Sequence, residues 1–347
     1  MSAAFDSLEK LPRARLGHAP TPLEEMKNLS SHLSAEGPRL WVKRDDCTGL
    51  ALGGNKVRQL EFYLGEAVAQ EADNVLITGA VQSNFVRLAA AGANQLGMTC
   101  HIQLEQRVPH EEPAYQNSGN VLLDKLLGAK LYSYPEGEDE EGADRRLREI
   151  AEGLKAEGKR PYVIPLAPGH KPLGALGYMV AAREVLEQAR ERDLAFDEVV
   201  VASGSGNTHG GMLFGLRALG CDVPVTGVCV RRGAEPQAPR IAKRCEEIAE
   251  LLGVPSPVAD EDVSVTDSFL APGYGQLNEP TREAIRLAGQ KEGLLLDPVY
   301  TAKTFAGFLQ RARESVRENA SSKNLLFIHT GGQPALFGYE PELSDSI

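Results

Sequence analysis

The chain has 347 residues, of which 42% are hydrophobic and 24% charged, the composition of a globular protein with a well-buried core. Its formal net charge of −11 and its pI near 5.3 argue against a nucleic acid or an anionic membrane as partner, because both are bound through a surplus of Lys and Arg. The five cysteines are scattered and form no C-x-x-C or Cys/His cluster, so neither a metal site nor a disulfide framework is expected.

The beginning of the chain, MSAAFDSLEKLPRARLG, lacks the apolar stretch of a signal peptide. No run of about 18 apolar residues follows anywhere. We therefore expect a cytoplasmic protein with reduced thiols and no membrane partner.

Short apolar runs alternate with helical patterns along the chain. Strands are predicted at 74–80, 100–106, 129–134, 160–166, 197–206, 224–230 and 324–332, and the clearest helices at 56–72 and 84–97. Strand followed by helix, repeated, predicts an α/β fold with open, twisted, mostly parallel sheets flanked by helices. The Pro- and Gly-rich segment 166–178 is expected to join two lobes, and the acidic run 135–146 to be a solvated loop leading into a helix.

The segment KRDDCTGLALGGNK (43–56) places a lysine directly after a glycine-rich loop. It is not a Walker A loop, because Asn55 separates Gly54 from Lys56, and Val57 stands where Ser or Thr would bind magnesium. A helix start and a glycine-walled pocket both disfavour the ammonium form of a lysine. Lys56 is therefore a candidate amine nucleophile, with an ordinary solvated lysine as the alternative.

The segment TGAVQSNFVR (78–87) ends a predicted strand and begins a helix. Ser83 and Asn84 can cap that helix and leave backbone N–H groups for an anion. Capping alone is an alternative, but Gln82 adds a third small polar group at the same point. This density predicts an anion or substrate site.

The segment VVVASGSGNTHGG (199–211) has a glycine-rich turn between a strand and a helix. Its glycines do not match G-x-G-x-x-G, and the next strand ends in Arg231 and Arg232 rather than in an acidic residue that would bind ribose. A dinucleotide is therefore disfavoured. The turn is expected to bind one phosphate through free N–H groups at a helix N-terminus.

Three later segments, APGYG (271–275), LLLDPVYTAKTF (294–305) and FIHTGGQPALFGY (327–339), place polar side chains in or beside loops. Tyr274 has glycine neighbours that cannot pack around it, so it is not a typical core residue. Tyr300 lies in a more apolar run and fits either a core or a site. His329 is expected to be structural, because no partner at metal-ligand spacing accompanies it.

One phosphate cradle, one activated lysine and no nucleotide motif together match the needs of pyridoxal phosphate. The chain resembles the fold-type II pyridoxal-phosphate enzymes (tryptophan synthase β-like), in the group of D-cysteine desulfhydrase, L-cysteate sulfo-lyase and aminocyclopropane-carboxylate deaminase. The resemblance rests on PTPLE (20–24), KRDDCTGLALGGNKVRQLEF, GAVQSN, GALGY (174–178), the glycine turn, DPVYT and HTGGQPALFGY, and so covers nearly the whole chain.

The resemblance implies roles at the cofactor. Lys56 carries it through a Schiff base and exchanges the substrate α-proton, while Asn84 bonds the ring hydroxyl. The remaining residues implied to bind the cofactor are Ser203, Gly204, Ser205, Gly206, Asn207 and Thr208 at the phosphate, with Thr301 and Thr330 at the ring.

The resemblance also implies a substrate side and a domain plan. Ser83 and its neighbours hold the carboxylate of a small amino acid, and a tyrosine orients or protonates the departing group. The residues implied to meet the substrate are Gln82, Ser83, Asn84, Phe85, Tyr274 and Tyr300. Residues 1–58 and 169–347 are expected to form a large cofactor domain, 59–168 a smaller inserted domain, and the chain a homodimer.

Two threonines distinguish branches of this family. The deaminase branch has an acidic residue where Thr301 stands and a leucine where Thr330 stands. A neutral hydroxyl predicts a shallower electron sink, sufficient for β-elimination, so we expect sulfide release from D-cysteine, with sulfite release from L-cysteate as the alternative and cyclopropane opening disfavoured. Phe85 and the A-P-G-H loop (167–170) depart from the family pattern and are expected to affect specificity.

Two alternatives come from other functional classes. A two-lobed amino-acid sensor without catalysis would not need Lys56 as an imine-forming group. A dehydrogenase is weakened by the missing acidic residue for ribose.

Overall fold

The computed structural model describes residues 2–137, 139–166, 169–318, 320 and 322–344. The strands are β1 Leu23–Glu25, β2 Arg39–Arg44, β3 Asn74–Ala80, β4 Thr99–Glu105, β5 Lys130–Tyr134, β6 Pro161–Ile164, β7 Glu198–Ser203, β8 Val225–Cys229, β9 Ser264–Thr266 and β10 Asn324–His329. The helices are α1 Ala3–Leu8, α2 Lys27–Leu33, α3 Lys56–Ala69, α4 Asn84–Gln95, α5 Pro113–Asn117, α6 Gly119–Leu126, α7 Glu140–Ala156, α8 Leu173–Arg190, α9 Asn207–Ala218, α10 Ala234–Leu252, α11 Glu279–Leu287, α12 Thr301–Arg317, α13 Ala335–Gly338 and α14 Glu340–Ser344.

The strands of the described residues form two sheets. The larger sheet has six strands in the order β1-β2-β10-β7-β8-β9 and is parallel except for β1, which runs antiparallel to β2. The smaller sheet has four parallel strands in the order β5-β4-β3-β6. This confirms the predicted α/β architecture with mostly parallel sheets.

Helices cover both faces of each sheet. In β7, Val199 and Val201 face the core formed with α3, α8 and α9, whereas Val200 faces the core formed with α2 and α12. In β10, Leu326 and Phe327 divide between the same two cores. Because alternate residues point to opposite faces, a strand covered on both sides must be apolar throughout. The smaller sheet is packed in the same way between α4 and α7.

All seven predicted strands and both predicted helices are present, with ends shifted by a few residues. Strands β1, β2 and β9 were not predicted. The segment from Lys43 was expected to be a loop, but Lys43 and Arg44 end β2. Two consecutive basic residues do not resemble a buried strand, and they are accommodated here only because other elements supply partners.

A buried charge cluster, Lys43, Asp45, Arg58, Tyr178 and Glu184, joins β2, α3 and α8. Arg58 donates to Asp45 Oδ1 at 2.8 Å and to Glu184 Oε2 at 3.0 Å, and Lys43 Nζ lies 2.5 Å from Glu184 Oε1. Tyr178 donates to Asp45 Oδ2 at 2.6 Å. Burial alone would raise the pKa of Asp45, but Arg58 and Lys43 hold that pKa below its usual value. The cluster fixes the first turn of α3.

The acidic run 135–146 does more than solubilise the surface. As expected, it leads into a helix, α7, although residue 138 lies outside the described residues. The first residue of that helix, Glu140, accepts from Arg231 at 2.6 Å and Arg232 at 3.3 Å, and its other oxygen lies 3.6 Å from Arg240. Glu140 thus ties α7, which packs on the smaller sheet, to α10 and to the turn that precedes it.

Among the described helices, none combines the length and apolar character needed to cross a bilayer. The described residues contain no group of three or more His, Cys, Asp or Glu side chains placed to hold a metal ion. The cysteines are free thiols.

Candidate active site

Two adjoining cavities open where β3, β7 and β10 end, the usual position of a site in an open α/β sheet. The space between the atoms lining the inner cavity is about 520 Å³ and that of the outer cavity about 810 Å³, and both figures include the part open to solvent. The predicted site residues that line the inner cavity are Lys56, Ser83, Asn84, Phe85, Gly204, Ser205, Gly206, Thr208, Tyr300 and Thr330. The outer cavity shares Lys56, Ser83, Phe85, Gly204, Ser205 and Tyr300 and adds Asn207 and Tyr274.

Lys56 is the first residue of α3 and lines both cavities. Gly53 and Gly54, with φ of 65° and 128°, turn the chain into the helix in a conformation that favours glycine. Lys56 Nζ lies 3.4 Å from Gln59 Oε1 and 5.2 Å from the ring centroid of Phe85. Burial lowers the pKa of Lys56 from 10.5 to about 8, so a usable fraction is the neutral amine near neutral pH.

The loop before Lys56 packs directly on the chain that follows β10. Thr48 Oγ1 bonds both the N–H and the carbonyl of Gly54, at 2.8 and 3.0 Å, and Asn55 N donates to Thr330 O at 3.0 Å. A Cβ on Gly331 would lie 2.6 Å from Gly54 Cα. Only glycine permits this approach, which holds the lysine at a fixed distance from the carboxyl end of β10.

The turn after β7 is the segment that was predicted to bind a phosphate, and it lies at the start of a helix. Gly206, with φ of 99°, is the residue before α9, and the first N–H groups of a helix have no acceptor within it. The hydroxyl of Thr208 accepts from Asn55 Nδ2 and from Gln59 Nε2, both at 2.9 Å. This turn is therefore linked by hydrogen bonds to the segment that carries Lys56.

Ser203 supports this turn from behind and lines neither cavity. Its hydroxyl lies 3.1 Å from His209 Nδ1 and accepts from Gln237 at 2.9 Å. Burial lowers the pKa of His209 to about 4, so the imidazole is neutral. The prediction that Ser203 contacts the cofactor is not supported by this geometry, because the last residue of β7 points into the core.

Ser83 and Asn84 start α4 as predicted. Ser83 Oγ accepts from the N–H of Phe85 at 3.3 Å, and Asn84 Oδ1 accepts from Asn120 at 3.0 Å. Both side chains line the inner cavity, as does the turn after β7. They leave the free N–H groups of the helix start available for a carboxylate.

Gln82 does not line either cavity, contrary to the prediction. Its amide donates to the carbonyls of Tyr115 and Ser118, at 2.5 and 3.0 Å, and accepts from Asn120 N at 2.9 Å. These bonds use the amide to hold α5 and α6 against the start of α4. Gln82 supports the position of Ser83 and Asn84.

Tyr274 and Tyr300 meet at the outer cavity and their hydroxyls are hydrogen-bonded to each other. Their rings are packed edge to face, with centroids 5.8 Å apart. Lys303 Nζ donates to the carbonyls of Leu270 and Gly273, at 2.6 and 2.7 Å, and so fixes the turn that carries Tyr274. Burial raises the pKa of both phenols, which favours their protonated, donor form.

Asp297 was not predicted and changes the expected chemistry at Thr301. Thr301 lines neither cavity, and its hydroxyl donates to Asp297 Oδ1 at 2.7 Å, whereas Asp297 and Thr330 line the inner cavity. Asp297 also accepts from the N–H groups of Val299 and Tyr300, both at 3.0 Å. Asp297 thus adds a carboxyl group at this end of the inner cavity, and the Thr301 hydroxyl has only lone pairs left for another partner.

The two predicted departures from the family pattern, Phe85 and the A-P-G-H loop (167–170), each place at least one residue at a cavity. Phe85 lines both cavities and packs against Tyr63, with ring centroids 6.2 Å apart. In the A-P-G-H loop, His170 lines the outer cavity and lies 3.5 Å from Asp144, whereas residues 167 and 168 are outside the described residues.

Several residues at the site had escaped prediction. Asn55 precedes Lys56 and lines the inner cavity. Gln59 lines neither cavity but bonds Lys56 and Thr208, and helical spacing from Lys56 could have suggested it. Asp297 lies four residues before Thr301, a cap-like position. Arg107 and Arg231 line the outer cavity after β4 and β8, and no local pattern singles them out.

These residues fit pyridoxal phosphate. Lys56 offers an amine with a lowered pKa, the turn 204–208 offers a helix start to a phosphate, and Asn84 offers a side-chain amide at the same cavity. The three groups line one cavity, and the bonds from Asn55 and Gln59 to Thr208 hold the amine and the turn together.

Comparison with known proteins identifies the family. A family model described as "Pyridoxal-phosphate dependent enzyme" matches residues 14–331. D-cysteine desulfhydrase of Yersinia pestis (strain Pestoides F) is 42% identical over 336 residues, which are 97% of this chain and 98% of that protein. D-cysteine desulfhydrase of Serratia proteamaculans (strain 568) is 41% identical over 339 residues, which cover 97% of this chain and 98% of that protein.

Solved structures agree. A crystal structure of "the ACC deaminase homologue" superposes with a TM-score of 0.86 and 37% identity, covering 99% of each chain. A fungal L-serine ammonia-lyase from Rhizomucor miehei, with a TM-score of 0.67 and 18% identity over 96% of this chain and 99% of its own, shows the shared fold alone. The chain therefore belongs to the pyridoxal-phosphate dependent enzymes of fold type II.

Proposed function

We propose that the protein is a carbon–sulfur lyase that converts D-cysteine to pyruvate, ammonia and sulfide. One observation carries the proposal: an amine of lowered pKa, Lys56, shares a cavity wall with a hydrogen-bonded tyrosine pair and with a phosphate-type cradle. The 42% identity to D-cysteine desulfhydrases over nearly the whole chain supports this choice of substrate.

The cofactor, when bound, supplies an electron sink next to the substrate Cα. Its phosphate would lie at the turn 204–208 and its ring hydroxyl at Asn84. The N–H groups at the start of α4, with Ser83, would bind the substrate carboxylate and orient the Cα–H bond toward Lys56. Asp297, which lines the inner cavity, would accept the hydrogen bond of the Thr301 hydroxyl behind it.

Each residue then has one proton to move or one group to hold. Lys56 Nζ accepts the α-proton, and the electron pair of that bond forms Cα=Cβ as the Cβ–S bond breaks with its pair on sulfur. The Tyr274–Tyr300 pair donates the proton that sulfur takes as it departs. The 2-aminoacrylate that remains takes up water to give pyruvate and ammonium.

The substrate can be tested with a panel of D-cysteine, L-cysteine, cysteate, β-chloro-alanine and the cyclopropane amino acid. Sulfide and pyruvate in equal amounts from D-cysteine are the expected result, measured together in one assay. If the enzyme releases sulfite from cysteate with a higher kcat/KM than it releases sulfide from D-cysteine, cysteate is the substrate and the proposal of D-cysteine is wrong. Formation of 2-oxobutyrate from the cyclopropane substrate would show that the Asp297–Thr301 pair works like the carboxylate of the deaminase branch.

We further propose that residues 1–58 and 169–347 form the cofactor domain and 59–168 a smaller one. The larger sheet draws its strands from both ends of the chain, and the smaller sheet from 74–164 only, which supports this division. We also propose that the enzyme works in the cytoplasm, where its free thiols would stay reduced.

A homodimer is proposed from an apolar surface patch in which Leu295 and Phe337 are exposed, Ile285 and Leu336 are partly exposed, and Leu343 is buried beneath them. Leu295 and Phe337 are 60% and 65% exposed, which is unusual for large apolar side chains that lie side by side. A second copy related by a two-fold axis could cover the patch with its own.

Replacing Phe337 with lysine is expected to convert the dimer to monomer in light scattering coupled to gel filtration. A lysine at the centre of an apolar interface would lose its hydration in both copies on association, and this free-energy cost disfavours the dimer. The matched control is Val68→Lys on α3, which changes an exposed apolar side chain (48%) that is not among the residues of the patch and is expected to leave the mass unchanged. A wild-type monomer would refute the proposal.

A further inference from the structure

Asn120 is a buried polar side chain that lies next to the candidate site without lining it. It is the second residue of α6, its relative exposure is 0%, and it belongs to the wall of neither cavity. Its Nδ2 donates to Gln82 O at 3.1 Å and to Asn84 Oδ1 at 3.0 Å. Asn120 therefore meets the site through Asn84.

The direction of the Asn120 amide is fixed by the main chain. A backbone carbonyl can only accept, so the amide atom that faces Gln82 O must be the nitrogen. The Gln82 side chain is fixed in the same way, since Nε2 donates to the carbonyls of Tyr115 and Ser118 at 2.5 and 3.0 Å. Its Oε1 accepts from the backbone N–H of Asn120 at 2.9 Å. These contacts leave the Asn120 side chain as a donor to Asn84.

The direction of the Asn84 amide follows from this donor. Because Oδ1 accepts from Asn120, Nδ2 is the end left for the inner cavity, which Asn84 lines. Within the described part of the chain, Nδ2 of Asn84 makes no hydrogen bond, so its N–H groups remain for a ligand. Without Asn120 the amide could turn over and present its oxygen, because the two ends are nearly equal in size.

The polarity of this amide matters for cofactor binding. The ring hydroxyl, which the proposed function places at Asn84, becomes an anionic oxygen when it loses its proton. An N–H group donates a charge-assisted hydrogen bond to such an oxygen, whereas an amide oxygen at the same place would repel it. The affinity for the cofactor should therefore depend on which end of Asn84 faces the cavity.

We propose that Asn120 is a positioning residue, which holds the Asn84 amide with its N–H groups toward the cofactor ring. It acts through Asn84 and contacts neither cofactor nor substrate. The inference rests on the proposed placement of the ring hydroxyl at Asn84. It extends the cofactor site to α6, a helix that contributes no residue to the walls of the two cavities.

The test measures the Kd of pyridoxal phosphate for the apoenzyme, from the change in visible absorbance, in the wild type and in Asn120→Asp. The new carboxyl oxygens accept from Asn84 Nδ2, so the Asn84 oxygen turns toward the ring. Kd should rise by roughly tenfold or more, as expected for a lost charge-assisted hydrogen bond, and the absorbance maximum of the bound cofactor should shift. Asn117→Asp makes the same change at an exposed amide bonded to Pro113 O. This matched control should keep Kd within about twofold of wild type.

A double-mutant cycle with Asn84→Ala separates positioning from a general structural effect. In the Asn84→Ala background there is no amide to turn, so Asn120→Asp should change Kd by no more than about twofold. An equal rise of Kd in both backgrounds, or no rise in either, would overturn the proposal. If urea denaturation shows that Asn120→Asp is unfolded, Asn120→Leu removes the donor at similar volume and takes its place in the same cycle.

Failure of the inference can be told apart from failure of the proposed function. If Asn84→Ala itself leaves Kd and the absorbance maximum unchanged, the placement of the ring hydroxyl at Asn84 is wrong and the role of Asn120 is wrong with it. If no pyruvate forms from D-cysteine, the proposed elimination is wrong, whereas the Kd values still decide the role of Asn120 because they need no turnover.

Discussion

Replacement of Lys56 with alanine is expected to lower kcat for pyruvate formation at least about 10³-fold, because no other described side chain at the cavities offers an amine at the same place. The loss should appear in kcat and in the visible absorbance of the bound cofactor together. Exposed Lys155, which pairs with Glu152, is the matched control, and Lys155→Ala should retain full activity.

A second buried lysine makes this test specific. Burial also lowers the pKa of Lys303 to about 8, but its Nζ is hydrogen-bonded to Leu270 O and Gly273 O. Borohydride treatment of the holoenzyme should therefore fix the cofactor mass on the peptide that contains Lys56 and not on the one that contains Lys303. Label on Lys303, or undiminished turnover by Lys56→Ala, would contradict the assignment of the amine.

Replacement of Asp45 with alanine is expected to destabilise the fold by roughly 3–5 kcal/mol, because it leaves Arg58 and Lys43 buried with too little negative charge. Urea denaturation at neutral pH measures the change in the free energy of unfolding. Glu318→Ala, which breaks the exposed pair with Lys323, should change that free energy by no more than about 0.5 kcal/mol. Equal effects from the two variants would show that the cluster does not stabilise the fold.

The same cluster sets the direction of the pH dependence. The pKa values of Asp45 and Glu184 are lowered in the folded state from their ordinary values of 3.8 and 4.5, by Arg58 and Lys43 acting against burial. A lowered pKa contributes stability that is complete above the ordinary value and is lost as the pH falls. The difference in stability between wild type and Asp45→Ala should therefore shrink below about pH 4, as followed by urea denaturation at each pH.

The clearest strand signals in the sequence come from strands that are buried along their whole length. Strands such as β3 and β7 are buried at every position, so the sequence shows an unbroken apolar run. Strand β2 was missed because it ends in two basic residues, Lys43 and Arg44. Arg44 pairs with the nearby Asp46 and Glu24, but the partner of Lys43 comes from a distant part of the chain. Glu184, which neutralises Lys43, lies 141 residues away.

Site residues, too, could be predicted only where the local sequence carries a signal. Lys56, Ser83 and the turn at Gly206 have local signals, since each stands where a loop meets a helix. Gln82 has the same signal but its amide turns to the carbonyls of Tyr115 and Ser118, and no sequence pattern gives the direction of a side chain. Arg107 and Asp297 are brought to the cavities by packing alone, so their places could not be predicted.

The parallel pairing of β2 with β10 has a consequence during translation. Residues 39–44 cannot pair with residues 324–329 until those have been synthesised, so the larger sheet forms completely only late in translation. The strands of the smaller sheet are all available once residue 164 has left the ribosome. Pairings so distant in sequence form slowly, because a long loop must close first. A nascent chain could therefore fold the smaller sheet early, yet capture the cofactor firmly only near the end of synthesis, when Thr330 reaches the backbone beside Lys56.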